Sequence, residues 1–252
     1  MVTGLTQKEY IERIATFQHV VVVVDGKINQ NLSRVPQVVE AIDSNSVKAK
    51  KLLKTGFFKN ELNDEGGAEL GGGIYLSCQS GEDGGVLRVC HIHSDDFRKK
   101  KIHNIYRLEP NARLSIVEEF WASGKQTTQY TSRWIMGCDS KLKKYTLGNF
   151  GSKSRESIFF NEDLVTQYKN SVSSFYSFYL PLGRFSAIGK HENIFKNTLL
   201  EDNASCEMKS VSFIFDENAV NNVILMTHEG KGCHSSQVYR GIYGGNSRGV
   251  FD

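Results

Sequence analysis

The fold is decided by Val223–Asp252, VILMTHEGKGCHSSQVYRGIYGGNSRGVFD. Val223-Ile-Leu-Met226 is an apolar strand. A polar, glycine-broken loop follows and carries His228, Cys233 and His234. Ser235-Ser-Gln237 leads into a second strand, Val238-Tyr-Arg240. A glycine-rich return, Gly241 to Gly249, ends where Gly249-Val-Phe-Asp252 begins a third. Short strands joined by tight polar corners are how consecutive rungs of a stacked sheet read in sequence.

The same texture extends back to Gly71. Short β-prone runs are split by Gly, Asn, Asp and Ser: Val86–Cys90, Leu114–Glu118, Thr128–Met136, Ser157–Phe160, Leu164–Tyr168, Ser173–Leu180 and Val211–Phe215. Strands this short and frequent predict an all-β architecture; sandwich, barrel and solenoid all share that signature. An internal echo favours the solenoid. Asn111-Ala-Arg-Leu, Asp139-Ser-Lys-Leu, Asn170-Ser-Val-Ser and Asp202-Asn-Ala-Ser each place a turn residue and a small residue before a strand. Their spacings are 28, 31 and 32 residues, the scale of one solenoid turn.

Before Gly71 the signals are mixed. Thr6-Gln-Lys-Glu9 is a capping box, with Thr6 as N-cap. Tyr10, Ile14 and Phe17 then share a helical face. Val20 to Val24 is a strand stopped by the turn Asp25-Gly26, with Ile28 to Leu32 returning and His19 at the strand entry. Val38 to Lys54 reads as one or two short helices. The division is therefore a mixed α/β region over 1–70 and a β-solenoid over 71–252.

Composition narrows the function. The chain has 252 residues, 39% of them hydrophobic, enough to bury a core without disulfide staples. Its longest aliphatic run, Val20–Val24, is far below the ~20 residues of a membrane span. The charged opening MVTGLTQKEYIER lacks the apolar stretch of a signal peptide, so a cytoplasmic location is expected. Net charge is +3. Lys99-Lys-Lys101 and Lys143-Lys144 read as solvated turns, and no basic stripe with interleaved aromatics argues for nucleic acid. The five cysteines, 78, 90, 138, 206 and 233, are scattered without a CxxC, which excludes a zinc site of ordinary spacing.

Four groupings merit chemical weighing. The His228, Cys233 and His234 loop offers soft metal ligands, but too few to close a site. Cys206 with His228 is a thiol–base pair for a deamidase-type reaction, with Asp216 or Asn221 as orienting group. In Cys90-His-Ile-His93, the two imidazoles share one strand face; a solvent-facing pair is expected. Gly71–Ser77 and Val238–Gly241 are similar to the strands of an ADP-ribosyltransferase cleft, though in the wrong order and without a following Glu-x-Glu.

Other features match one family more specifically. A histidine, then Ser235-Ser-Gln-Val-Tyr-Arg-Gly241, then Arg248-Gly-Val-Phe-Asp252, resembles the signature of SufD-like proteins of the SufB/SufD family. So do Val24-Asp25-Gly26, Leu32-Ser33, Phe58, Leu62-Asn63, Ile74–Leu76 and Glu109–Phe120, in order along Val20–Asp252. The resemblance implies a right-handed parallel β-helix core behind a small mixed α/β N-terminal region. It implies a non-enzymatic scaffold of the SUF iron–sulfur cluster assembly complex, pairing with a SufB-like paralogue and a SufC-like ATPase, with self-pairing as a further option. The cluster would be assembled transiently in the complex, with no cofactor on this chain alone. The family's Cys-Ser-His segment and SufC-binding helices have no counterpart in these residues, and the chain is expected to stop before the last rungs. No catalytic, cofactor-binding or metal residue is therefore carried over. The alternative class is an enzyme of the ADP-ribosyltransferase or Cys/His thiol-deamidase type.

Overall fold

The computed structural model describes residues 7–49, 72–94, 100–122, 127–150, 157–179 and 188–252. Among them α1 (Gln7–Ile14), β1 (Val20–Val24), β2 (Lys27–Ile28), β3 (Val39–Asp43) and β4 (Ile74–Cys78) come first. Strands then alternate between two sheets. One receives β5 (Asp83–His93), β7 (Arg113–Ala122), β9 (Lys141–Phe150), β11 (Val172–Tyr179), β13 (Ser205–Ile214) and β15 (His234–Tyr243). The other receives β6 (Lys100–Leu108), β8 (Thr127–Met136), β10 (Ser157–Gln167), β12 (Ile188–Leu199), β14 (Ala219–His228) and β16 (Arg248–Phe251). Among the strands from β4 onward, each pairing with another of them is parallel and joins strands two apart in sequence. The result is a β-solenoid of about five turns, the parallel stack expected from the echo.

The corners explain why the rungs stay in register. Asn111, Asp139, Asn170 and Asn203 all sit at positive φ, between 55° and 61°, where Asn and Asp are the best-tolerated side-chain-bearing residues. The N–H of each donates to a carbonyl one rung on: Cys138 at 2.8 Å, Lys169 at 2.9 Å, Asp202 at 3.0 Å and Lys231 at 2.8 Å. Side chains add a ladder, with Asn170 Nδ2 donating to Asp139 Oδ1 at 3.0 Å and Asn203 Nδ2 to Asn170 Oδ1 at 3.3 Å. The fourth left-handed residue is Asn203, not Asp202; the Asp202 carboxylate instead accepts the Lys231 N–H at 2.7 Å. The small residue after each corner, Ala112, Ser140, Ser171 or Ala204, is fully buried, because the chain turns inward there with no room for a longer side chain.

We expect Asn170→Ala to cost about 1–2 kcal/mol, from left-handed strain plus the lost ladder bonds. Asn170→Gly should cost less, because glycine accepts this backbone. Urea unfolding of the two variants checks this; equal losses would show that the backbone conformation contributes nothing.

The N-terminal region closes one end of the stack. β1 joins β5 in parallel, while β2 and β3 add antiparallel edges to β1 and β4. The segment Val39–Asp43 is thus a strand rather than the helix expected over Val38–Lys54. Its pairing with Ile74–Cys78 supplies backbone partners that a local helical preference does not outweigh. Residues 50–54, the Thr6 cap, Phe58 and Leu62-Asn63 lie outside the described residues.

Helix α1 lies on the outer face of the first sheet. Its Tyr10 and Ile14 pack with Val20, Val22, Cys90, Ile92 and Trp121. Arg34 Nη2 donates to the carbonyls of Ile14, Ala15 and Phe17 at 3.3, 3.2 and 2.9 Å, satisfying the orphan acceptors at the helix end. No helix among the described residues is long and apolar enough to cross a membrane.

Candidate functional site

Strand alternation sends every second side chain into the lumen between the sheets. On β7 the inward set is Leu114, Ile116, Glu118 and Phe120; on β9 it is Leu142, Lys144 and Thr146; on β10 it is Phe159, Asn161, Asp163, Val165 and Gln167. Leu114, Ile116, Phe120, Leu142, Phe159 and Val165 fill an ordinary core, while Thr146 and Gln167 add polar ends to two of the series. At the centre they carry charge.

Lys144 and Glu118 are 1% and 0% exposed. The Lys144 ammonium lies 2.9 Å from Glu118 Oε2 and donates to Asp163 Oδ1 and Oδ2 at 2.9 and 3.1 Å. Asp163 also accepts Trp134 Nε1–H at 2.7 Å and Asn161 Nδ2–H at 3.0 Å. Glu118 Oε1 accepts the Tyr106 hydroxyl at 2.8 Å and faces His91 Nε2 at 3.2 Å. Tyr106 and Trp134 stack at 3.9 Å, and Lys144 sits 4.8 Å from the Trp134 ring centre, a cation–π distance.

Electrostatics follows from this geometry. Burial alone would push the Glu118 carboxyl up; Lys144, followed by His91, more than reverses this and leaves it at about 2. Burial lowers the Lys144 ammonium, but Asp163 and Glu118 carry it above its ordinary value. Glu118 and Lys144 are held ionised by each other and by their neighbours, the condition under which buried charges persist.

Towards the other edge of the lumen, aromatic and imidazole rings form a second column. His91 stacks on Phe120 at 4.9 Å, Phe120 meets Phe159 at 5.1 Å, and Phe159 meets His191 at 4.8 Å. His191 Nε2 and the Tyr179 hydroxyl both donate to Asn193 Oδ1, at 2.8 and 3.0 Å. His93 contacts the Tyr130 hydroxyl and lies 3.8 Å from Asp25, whose carboxylate also accepts Ser94 N–H and Oγ–H. His93, with Asp25's other partners, holds that carboxyl down at about 2. Beside the charged cluster, a cavity with about 40 Å³ of water-accessible space is lined by residues including Thr146, Asn161, Asp163, Ser177 and Ser210.

Several sequence expectations change here. His91 and His93 do share a face, but it is the lumen; both are buried rather than solvent-facing, because Glu118, Phe120 and Tyr130 cover that face of β5. Lys143-Lys144 is a strand pair and not a solvated turn, and alternation buries only Lys144. His228 closes β14 and bonds Ser235 Oγ at 2.9 Å, while Cys233 Sγ approaches the Glu201 carbonyl at 3.3 Å. Cys206 faces the lumen, where burial pushes its thiol up to about 11, away from nucleophilic character. The stretch Ile74–Ser77 and Val238–Gly241 lie in different sheets near opposite ends of the stack, so they do not face each other across a cleft. No group of three or more His, Cys, Asp or Glu placed to hold a metal occurs among the described residues.

Glu118, Asp163 and Asn161 were missed in the sequence. The signal was present: Leu114-x-Ile116-x-Glu118-x-Phe120 and Phe159-x-Asn161-x-Asp163-x-Val165 put polar residues in the apolar phase of a strand, which marks a buried polar site.

No curated protein matches the chain. The family model described as "SUF system FeS cluster assembly, SufBD core domain" matches residues 92–252, which takes in every solenoid strand from β6 onward. With parallel rungs over those same residues, the chain belongs to the SufB/SufD family, whose core domain serves SUF-system iron–sulfur cluster assembly.

Proposed function

We propose that this chain is a SufD-like, non-catalytic scaffold subunit of the SUF assembly complex, working in the cytoplasm. It pairs with a SufB-like paralogue, engages a SufC-like ATPase, and holds no cluster by itself. The observation that carries the reading is the core-domain match over a continuous parallel solenoid. The thiols support it. Cys78, Cys90 and Cys206 are buried, and burial raises all three, Cys90 to about 12; thiols held protonated are poor cluster ligands.

Two measurements test it. The full reading frame that contains these residues, tagged and co-expressed with the SufB-like and SufC-like proteins of the same source, should retain both through size exclusion; elution alone overturns the partner assignment. Anaerobic reconstitution of the isolated chain with iron and sulfide should leave no stoichiometric cluster absorbance. A stable cluster lost on Cys233→Ser would overturn the scaffold reading and move function to the His228–Cys233–His234 loop.

A further inference from the structure

The alternation that fills the lumen turns the other half of each strand outward, and on the first sheet these outward side chains line up across the strands. One row begins with Val22, Cys90 and Glu119, on β1, β5 and β7. Helix α1 covers it there. Tyr10 and Ile14 pack with Val22 and Cys90, and the Tyr10 hydroxyl donates to the Glu119 carboxylate at 3.3 Å. The same row continues through Leu147, Phe178 and Val211, on β9, β11 and β13. These three are apolar and only half-buried. The surface that α1 uses therefore runs on for three strands past the helix.

Charge on this continuation is one-sided. Arg113, Lys141, Lys143, Lys209 and Arg240 all point outward and are exposed. Glu119 is already answered by Arg88 and Arg13. The other outward carboxylate of β7 to β15 is Glu207, which Lys209 meets at 2.7 Å. Five cations against Glu207 leave a net +4 on this face, where the whole chain carries +3. A cationic face with an apolar row through it is complementary to an apolar stripe with acidic flanks. A helix presents that pattern on one side, and α1 shows that this sheet accepts one. A second helix packed ~8–10 Å from α1 comes to lie over β9 and β11, because neighbouring strands are ~4.8 Å apart. Single-stranded nucleic acid fits less well, since its bases need free ring faces. Tyr145 and Tyr176 stack on each other at 5.0 Å, and the Lys209 ammonium sits 6.0 Å from the Tyr176 ring centre.

We propose that the outer face of β9, β11 and β13 docks an acidic amphipathic helix of a partner protein beside α1. Its apolar side chains rest on Leu147, Phe178 and Val211, and its carboxylates face Lys143, Lys209 and Arg240. The surface depends on strand register and not on the family assignment, so it stands or falls separately from the scaffold reading.

The test uses the full reading frame that contains these residues. The probe is a labelled synthetic helix of about five turns, with leucines along one face and glutamates on both flanks; its twin carries lysines in place of the glutamates. Fluorescence anisotropy should show the acidic helix binding at least about tenfold more tightly than the twin, and weakening as salt rises from about 0.05 M to about 0.3 M. Phe178→Ser should weaken the acidic helix about tenfold. Lys143→Glu with Lys209→Glu should do the same through charge alone, and this exposed pair decides the matter if Phe178→Ser fails to fold. Leu225→Ser, on the outer face of the other sheet, should leave binding unchanged. Equal affinity for the twin, binding indifferent to the lysine reversals, or a loss at Leu225→Ser equal to that at Phe178→Ser would each overturn the proposal. So would tighter binding of a single-stranded oligothymidylate, or of phosphatidylserine–phosphatidylcholine vesicles, than of the acidic helix.

Discussion

Lys144→Met is expected to destabilise the chain by about 3–5 kcal/mol, the cost of stranding a buried charge after its partner is removed. Glu118 and Asp163 would then face one another in the lumen with no ammonium between them. Packing contributes less, since methionine keeps most of the stem against the Trp134 ring. The two origins can be separated. If stranded charge dominates, Lys144→Met combined with Glu118→Leu and Asp163→Leu should recover much of the loss, because an apolar replacement of a whole buried ion group is often neutral. If packing dominates, the triple variant should be worse than the single one. The single variant should also take up protons on folding near neutral pH, since the Glu118 carboxyl would lose the ammonium that holds it down. Urea unfolding at two pH values reads both effects; a single-variant loss under about 1 kcal/mol would show that the cluster is hydrated and loosely held.

How much was legible in the sequence depended on the length scale of the signal. The solenoid was readable because it repeats: Asn111, Asp139 and Asn170 each announce a left-handed corner, and a small residue follows every time. At the fourth corner the echo places the turn residue at Asp202, while the left-handed backbone falls on Asn203, because Asp202-Asn203 offers two residues that both tolerate it. Val39–Asp43 reads as helix in the sequence because its strand partner, Ile74–Cys78, lies some thirty residues downstream, beyond the reach of a periodicity window. The charged cluster was hidden for a different reason. Glu118, Lys144 and Asp163 come from three strands in two sheets, and each looks alone like an ordinary surface residue. Only the phase of alternation gives them away, and Lys143-Lys144 reads as a turn unless that phase is carried through it. The histidine pair shows the same gap: spacing gives the shared face, but which face it is depends on the second sheet that covers it across the lumen.

Acid should unfold this chain in two successive windows, and the upper one should belong to the buried histidines. Burial lowers His191 from 6.5 to about 4, its bond to Asn193 opposing the fall only in part. Burial also lowers His93, against the pull of Asp25. Between pH 6.5 and 4 the unfolded chain therefore binds more protons than the folded one. Linkage then makes stability fall as pH falls, by about 3 kcal/mol for His191 across that interval. Glu118 governs the lower window. Its folded value of about 2 lies below the ordinary 4.5, so its contribution is complete above 4.5 and is lost as pH drops towards 2. Removing the upper titration should be visible by itself. His191→Phe keeps a ring against Phe159 and Tyr179, and Asn193 Oδ1 still accepts the Tyr179 hydroxyl. Its stability should be nearly one proton less steep between pH 6 and 4.5, a change of about 1.4 kcal/mol per pH unit. The slope below pH 4.5 should remain, because Glu118 and Lys144 are untouched. Urea midpoints at half-unit pH steps measure both slopes. A variant as steep as the parent above pH 4.5 would mean that His191 takes its proton in the folded lumen, and that the ring column is open to water.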